Sequence, residues 1–535
     1  MSEAAIKIDA AASAAFTNWN VAAARVRRRT GAVTVAAITA MAAALGIPAS
    51  PAHAQAQVVD LTLERMVELG LRDSYRVRQL ELEVDRTRSL LRAEQAGLKS
   101  RVEMVLSAPE FQSISDYKWN SDLQRNELIH ENTRRWQMDL SVRQPVILFG
   151  FPTNGYLSLN NRVYRYTQLD DEERDIRYYN RYFIGYDQPL FQPNRMRHSL
   201  EEAQLNLERS ELDYGGDVVG MVDDLAGDYY ELLEAAYDRV IAAEHVADLE
   251  TASDAAQQVV QSSPSRNIEL DQLQVELVNA REEWQRARSS FRLQSENIKQ
   301  RLRLGAMDSI ALDPSLDVEP IEVDAARAIE LATTLAPRLR RLAINRRQSE
   351  IGLERTRGNN SFRMNVRLTY GREVQDPRFE NIWTEPRNSY TVNVNATIPI
   401  WDWGERKHRI QASRYSIERN DLSIEEARSQ IATSVLNEVR NLEEYQQRAL
   451  NMQGNLEFAR QITASTIERY GAGEITLVDV LQTIDREANT ARNFLDAYLG
   501  YRRALLRLQE ITYYDFEHDV PILERFGIST PATPE

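Results

Sequence analysis

The stretch Tyr470-Gly-Ala-Gly-Glu-Ile-Thr-Leu-Val-Asp-Val-Leu481 separates two long helical patterns. The residues before it, from 405 to 470, are polar, contain no proline and have helical spacing throughout. After it, apolar residues recur at steps of three and four as far as Thr512. Gly471 and Gly473 lie at the break, where glycine allows the positive φ angles of a sharp turn. The sequence therefore predicts a helical hairpin that turns at these glycines.

A weaker copy of this turn occurs earlier, in the stretch Ser265–Leu277. Its Asp271 lies 208 residues before Asp479. A second pair of landmarks agrees, because Pro189 and Pro399, each at the end of a strand-like run, are 210 residues apart. Such self-similarity at a fixed spacing indicates that the chain is internally duplicated.

The first half of the duplication is longer than the second. Its opening helical pattern aligns Leu61 with Ile321, an offset of 260 residues, so about 50 extra residues precede Pro189. The surplus falls on residues 136–166, which alternate between apolar and polar residues. The stretch Phe149–Gly155, between two strand-like runs, is typical of a hairpin turn, and its Asn154-Gly155 supplies positive φ. We therefore expect an added hairpin in the first half.

Several short segments have the alternation of strands and are rich in aromatic residues. In a soluble sheet these aromatics would be core; in an outer-membrane barrel they would form interfacial girdles around a polar lumen. No segment after residue 54 is apolar enough, over about 18 residues, to be a transmembrane helix. The barrel is therefore favoured, with strands over residues 101–106 (weakly), 136–148, 156–166, 178–190, 363–370 and 390–398.

The helical patterns are unusually long. Residues 195–261 would form about 100 Å of helix at about 1.5 Å per residue, which requires a bundle or coiled-coil setting. In the second half, isoleucines recur every seven residues, a spacing that winds helices left-handedly around each other. These isoleucines are Ile410, Ile417, Ile424 and Ile431.

The N-terminal residues have the order basic, apolar, small that is typical of a signal peptide. Arg25 and Arg27-Arg-Arg29 form the basic part, residues 32–47 are apolar, and Ala52-His-Ala54 fits the cleavage site. We expect export by the general secretory route and a mature protein that begins near Gln55. N-terminal sequencing of envelope protein checks this, and a mature chain that retains Arg25 to Arg29 would contradict it.

Composition excludes several classes of function. The chain of 535 residues carries a net charge of −15, which disfavours nucleic-acid binding. It contains no cysteine, so disulfides and thiolate chemistry are absent. Its six histidines show no metal-ligand spacing, and the motifs of phosphate loops, nucleophile elbows and metalloproteases are missing. We expect a protein that is not an enzyme and has no cofactor, catalytic residue or metal site.

Together these features resemble the TolC-like outer-membrane efflux proteins, over residues 61–512. The motif Tyr470–Leu481 is similar to the family's turn at the periplasmic tip, and Leu61-Thr-Leu63 to its opening. The resemblance implies an α+β membrane protein that forms a homotrimer. Helical hairpins would form a periplasmic coiled-coil tunnel, and strands from three copies would share one antiparallel β-barrel in outer-membrane lipid.

The resemblance also implies partners: a periplasmic adaptor (membrane fusion) protein and an inner-membrane pump of the resistance-nodulation-division (RND) or ATP-binding-cassette (ABC) type. The cargo is left open between small toxic compounds and secreted proteins. The predicted organisation is a signal peptide at residues 1–54, structural repeats at 55–312 and 313–512, and a tail at 513–535. The alternative is a structural coiled-coil protein of the periplasm or surface that transports nothing.

A periplasmic gate follows from the resemblance. Asp479 occupies the position of the family's aperture aspartate, and Tyr470 that of a tyrosine that holds the helices shut. Gly473 lies in the same turn, and Asp271 is the equivalent of Asp479 in the first repeat. The family's ionic latch is reduced, because a family arginine position is Ile475 and a second aspartate position is Gln482. The alternative for Asp479 is a solvated carboxylate that stabilises a helix start.

Overall fold

The computed structural model describes residues 58–527 except 73, 122, 170–174, 306 and 360. The predicted signal peptide and its cleavage site lie outside the described residues. Contacts divide the chain into two units: Met1–Val58 with Met307–Ser309, and Val59–Ala306 with Ile310–Glu535. Of the first unit only Val58 and Met307–Ser309 are described.

Helices fill most of the described part of the second unit, and eight of them have ten or more residues, four in each half of the chain. Those of the first half are α1 (Leu63–Arg72), α2 (Tyr75–Gly97), α3 (Arg195–Ser262) and α4 (Asn267–Leu302). Those of the second half are α5 (Ala325–Leu335), α6 (Pro337–Asn359), α7 (Glu405–Gly471) and α8 (Leu477–Thr512). Within the described residues no helix combines the length and apolar character needed to cross a membrane.

Side-chain caps explain where several helices begin. The side chains of Ser74, Asn194 and Asp324 accept hydrogen bonds from backbone N–H groups in the first turns of α2, α3 and α5. These residue types are favoured at such positions because their oxygens satisfy N–H groups that lack a partner within the helix. Pro337 begins α6, at a position where its missing N–H costs nothing.

The two longest helices have the predicted lengths. α3 has 68 residues and α7 has 67, so each extends for about 100 Å. In α7, Ile431 is buried and the other three isoleucines of the seven-residue spacing are partly buried. Val435 and Leu442 of α7 pack with Tyr501 of α8 in one apolar cluster. Tertiary packing of this kind, rather than helix propensity, stabilises long helices.

A single antiparallel sheet of six strands lies between the opening helices and the long helices of each half. In pairing order its strands are β2 (Arg101–Asn120), β3 (Arg125–Leu148), β4 (Phe151–Gln168), β5 (Ile176–Leu190), β7 (Arg363–Asp376) and β8 (Arg387–Thr397). Two further short strands, β1 (Val58–Asp60) and β6 (Ser309–Ala311), lie outside this sheet. The first half thus gives four strands and the second two, and the predicted extra hairpin is present.

The hairpin turn lies at the start of the predicted stretch Phe149–Gly155 rather than at its Asn154-Gly155. Phe149 and Gly150, with φ of 52° and 84°, form the two-residue connection between β3 and β4. Two successive positive φ angles match the twist of antiparallel strands. Asn154, with φ of 67°, instead lies within β4, where the register with β3 shifts between Pro145 and Ile147. The prediction of a turn at Asn154-Gly155 was wrong, because the same φ requirement is met in a β-bulge.

Several strands continue beyond the alternating segments. β2 runs to Asn120 and β7 to Asp376, into stretches where both faces are mostly polar. Alternation identifies a strand only where one face is apolar, so it cannot locate these extensions. A 3₁₀ turn at Phe379–Trp383 lies in the connection between β7 and β8.

The residues that follow α8 fold back onto the opening helices. They form β9 (Tyr514–Asp515), β10 (Val520–Pro521) and α9 (Ile522–Arg525). Ile522 is buried in a cluster with Met66 and Val67, and Arg525 Nη2 lies 2.8 Å from a carboxylate oxygen of Glu64. The described part of the predicted tail, as far as Gly527, therefore packs against the opening helices.

Four arginine–carboxylate pairs join α6 to α3, and a contact of the opposite sense is also present, from His198 Nε2 of α3 to Glu354 Oε2 of α6 at 2.9 Å. In each of the four pairs the arginine is on α6 and the carboxylate is on α3. The pairs are Arg340–Glu208, Arg341–Asp213, Arg347–Glu201 and Arg355–Glu202. We call this set the charged seam; it links the second repeat to the first.

Candidate functional site

The two interhelical turns of the duplication lie side by side. Tyr470, in the last turn of α7, is almost fully buried, with 1% of its surface exposed. Its hydroxyl donates a hydrogen bond of 2.8 Å to Glu269 Oε2, in the first turn of α4. The guanidinium of Arg266 lies 5.4 Å from the Tyr470 ring centre, and its Nε donates to Glu269 Oε1 at 2.8 Å. Tyr470 thus ties the second turn to the first.

The ionisation of this contact is set by its surroundings. Burial opposes ionisation of Glu269, but hydrogen bonds from Arg266 and Tyr470 outweigh it and lower the pKa of Glu269. Burial and the bond to Glu269 raise the pKa of Tyr470. At neutral pH the contact therefore joins a neutral phenol to a carboxylate, which is a stronger hydrogen bond than one between neutral groups.

An apolar cluster packs beneath the same turns, with residues from all four helices that meet there. Because every helix contributes, the two turns cannot separate without exposing apolar surface to water. Its buried members include Leu249 of α3, Leu273 of α4, Ile467 of α7, and Leu477, Val480 and Ile484 of α8.

Asp479 is exposed at the start of α8 and completes a capping box with Thr476. The Thr476 backbone N–H donates to Asp479 Oδ2 at 3.1 Å, and the Asp479 N–H donates to Thr476 Oγ1 at 3.4 Å. Hydrogen bonds from the Thr476 side chain and backbone lower the pKa of Asp479. The pattern Thr-x-x-Asp was visible in the sequence and indicates such a box. This role for Asp479 is compatible with its facing a pore.

The other two predicted gate residues differ from Asp479. Gly473 takes a φ of 77°, the left-handed conformation that the turn requires of it. Asp271 is exposed but is the fifth residue of α4, and the residue before that helix, Arg266, makes no side-chain cap. The capping box is therefore a property of the second turn that its first-repeat copy lacks.

Comparison of Asp479→Asn with Asp479→Ala separates the effect of the carboxylate charge from the effect of the hydrogen bond in the capping box. Asparagine retains an oxygen that can accept from the Thr476 N–H, whereas alanine also loses this half of the capping box, a hydrogen bond that contributes about 1 kcal/mol. If the carboxylate faces a pore, both variants lose block of single-channel current by divalent cations to a similar extent. Planar-bilayer recordings measure this. Unchanged block in both variants, with assembly intact, would leave only the capping role.

The six-stranded sheet has one apolar and one polar face. In register from β2 to β8, the apolar face carries Val102, Val142, Leu159, Ile184, Tyr370 and Tyr390. Most of these side chains are exposed, Tyr390 by 80% and Val102 by 65%. An exposed apolar face this wide marks contact with another protein or a membrane.

The opposite face carries a row of charges across five strands. Asp139, Arg162, Arg181, Glu373 and Arg387 are successive register partners from β3 to β8. Arg162 Nε lies 2.6 Å from Asp139 Oδ1, and Arg181 Nε lies 3.7 Å from Glu373 Oε2. Sequence alternation alone did not reveal this row, because it depends on register between strands that are distant in the chain.

Exposed aromatic side chains mark the end of the sheet from which the long helices continue. Phe149 is 99% exposed at the turn between β3 and β4, and Phe191 follows β5. Trp401 and Trp403 follow β8, and their rings make an edge contact with centres 5.4 Å apart. Such side chains are typical of membrane–water interfaces.

A group of possible metal-ligating side chains occurs near the C-terminus. Asp515, Glu517 and His518 place one ligand atom each within 4.8 Å of one another. Asp515 is buried and already accepts hydrogen bonds from Gln509 at 2.9 Å and Arg525 at 2.5 Å. These bonds assign the buried carboxylate to the packing of the C-terminal segment.

Comparison with known proteins agrees with this architecture. Residues 329–512 match the family described as outer membrane efflux protein. No match was found among curated proteins. Three crystal structures are similar over most of their length, at identities that show the fold alone. CusC has a TM-score of 0.60 at 12% identity, over 86% of this chain and 93% of its own.

The other two are outer membrane channels. CmeC from Campylobacter jejuni has a TM-score of 0.57 at 14% identity, over 84% of this chain and 85% of its own. MtrE from Neisseria gonorrhoeae has a TM-score of 0.58 at 13% identity, over 84% and 88%. The predicted resemblance is confirmed, as is the predicted location in the outer membrane with a periplasmic extension.

Proposed function

We propose that this chain forms the outer-membrane channel of a tripartite export system. Its residues 329–512 match the outer membrane efflux protein family, which supports this proposal. Three copies would share one barrel in the outer membrane and extend their helical hairpins across the periplasm. An adaptor protein and an inner-membrane pump of the RND or ABC type would deliver cargo to the far end. The cargo would be small toxic compounds or secreted proteins.

The two-faced sheet is the observation that carries this proposal. Its apolar face suits lipid, and its opposite face carries the charged row from Asp139 to Arg387, which suits a water-filled lumen. A soluble sheet with one exposed apolar face would aggregate, so this face needs a covering. Lipid is the covering consistent with the exposed aromatics at the end of the strands.

The helical hairpins support the periplasmic part of the proposal. α3 and α7 begin beside the sheet and end about 100 Å away, at the paired turns of Tyr470 and Glu269. Three copies of a duplicated chain would place six such hairpins around one axis. The turns would then surround the narrow end of the tunnel, where a gate can act.

Membrane fractionation and planar-bilayer recording test the proposal together. Envelope protein is expected to resist carbonate extraction, to migrate faster before boiling than after, and to form discrete conducting events once reconstituted. Release by carbonate, with migration that boiling does not change, would instead support the structural coiled-coil alternative.

A further inference from the structure

The sheet of one chain is open, with β2 at one edge and β8 at the other. We infer that β2 of each copy pairs with β8 of the next, so that three copies of six strands close a barrel of 18 strands. This inference rests on the proposed function and adds the width of its exit. The partner it commits to is a second copy of this chain.

Strand direction permits this closure. Every neighbouring pair in the sheet is antiparallel, and the number of strands is even, so β2 and β8 run in opposite directions. An edge of one copy therefore meets the edge of the next in the same antiparallel manner as every internal pair. Closure also satisfies backbone groups that would otherwise be unpaired in lipid.

The hairpin formed by β2 and β3 belongs to the wall rather than to an external loop. Val102 and Met104 of β2 lie opposite Val142 and Leu140 of β3, on the apolar face of the whole sheet. Asp139 of β3 lies on the polar face, opposite Arg162 of β4. A hairpin outside the membrane would have no need of this two-faced pattern, which is that of membrane strands.

The turn between β3 and β4 independently supports the placement of β2 and β3 in the barrel wall. Phe149, at the turn that follows β3, is 99% exposed, as an interfacial side chain would be before it meets lipid. An exposed phenylalanine at a turn is otherwise costly in water. Its position at the start of β4 places the lower end of the hairpin near Phe191, which directly follows β5.

The two additional strands of the first half widen the outer end of the channel. The second repeat supplies two strands, and a first repeat with the same number would give three copies a barrel of about 12 strands. Barrel diameter grows roughly linearly with strand number, so about 18 strands would increase it about 1.5-fold. Barrels of this size leave an aqueous channel. The exit would then pass bulky hydrated solutes or an extended polypeptide without itself selecting among them.

Cysteine cross-linking in the full chain tests the joint, because the protein has no cysteine of its own. Val392→Cys on β8 is combined in turn with Val102→Cys, Met104→Cys and Leu106→Cys on β2, which scan the register on one face. After mild oxidation of membranes, at least one pair is expected to convert most of the protein into a covalent trimer. The matched control, Val392→Cys with Leu159→Cys on β4, is expected to remain monomeric on a denaturing gel.

The outcomes test the pairing of β2 with β8 of the next copy separately from the proposed channel. Trimer formation by the β4 pair, and not by the β2 pairs, would show a narrower barrel that leaves the first hairpin outside; it would overturn the 18 strands and leave the proposed channel intact. No linkage by any pair, with protein released by carbonate, would overturn both.

Discussion

Tyr470→Phe is expected to loosen the tip and to raise single-channel conductance. The change removes the hydrogen bond from the Tyr470 hydroxyl to Glu269, and a bond to a charged acceptor contributes about 1.5–3 kcal/mol. Tyr470→Ala also empties a buried site, at a cost of about 3–5 kcal/mol. Conductance in planar bilayers, and sensitivity of cells to bulky antibiotics, should increase from wild type to Phe to Ala.

A matched control is available on the same helix. Tyr415 is 60% exposed, and Tyr415→Phe is expected to leave conductance at the wild-type value. If Tyr470→Phe behaved like this control while assembly stayed intact, the contact with Glu269 would be structural only, and closure would depend on the apolar cluster beneath it.

Acid should weaken the same contact in a defined range. The folded-state pKa of Glu269 is lowered from an ordinary value of 4.5, so its contribution to closure is complete above that pH. It is lost as the pH falls through the lowered pKa. In Tyr470→Phe this acid dependence of conductance should be smaller, because one of the bonds that lower the pKa is absent.

Gly371→Ala is expected to abolish most of the heat-stable assembly. A Cβ at this position would lie 2.5 Å from the Tyr182 carbonyl oxygen and 3.0 Å from Phe183 Cα. Both are backbone atoms of β5, so the two strands would have to separate. β5 and β7 form the joint between the strands of the first half and those of the second. Fast-migrating protein in unboiled samples measures the loss.

The control for added volume is Gly454→Ala in α7, where the new Cβ meets no atom of the chain within 4 Å. Alanine is also favoured over glycine inside a helix, by about 1 kcal/mol. This variant should assemble at least as well as wild type. Equal assembly of Gly371→Ala and Gly454→Ala would contradict this prediction, because it would show that assembly does not require the close approach of β5 and β7 at Gly371.

Much of the architecture could be predicted from local sequence, because its main signals are local. The turn at Gly473 and the length of α7 each depend on residues close together in the chain, whereas the extra hairpin also required the unequal spacing of the two repeats. Within the stretch Phe149–Gly155 the turn was placed at Asn154 rather than at Phe149-Gly150, because phenylalanine rarely adopts positive φ, whereas asparagine does so readily.

Non-local features required the structure. The partnership of Tyr470 with Glu269 joins residues 201 positions apart, and the row from Asp139 to Arg387 spans five strands. The packing of Ile522 against α1 is equally invisible in a short segment with no marked periodicity. In each case the interacting residues can be read in the sequence, but only the strand register or the helix packing shows which of them are in contact.

The charged seam has a consequence for the order in which molecules come together. In the proposed trimer, α6 of one chain could dock on α3 of its own chain or on α3 of a neighbouring chain. Two α6 helices repel each other because each presents arginines, such as Arg340 and Arg347, while α3 attracts them over about 10 Å at 0.1 M salt. The nearest acidic helix during synthesis is the one on the same polypeptide, so the seam favours folding within a chain before encounter between chains. Near 1 M salt, where screening shortens to about 3 Å, that preference would fade and exchanged partners would accumulate.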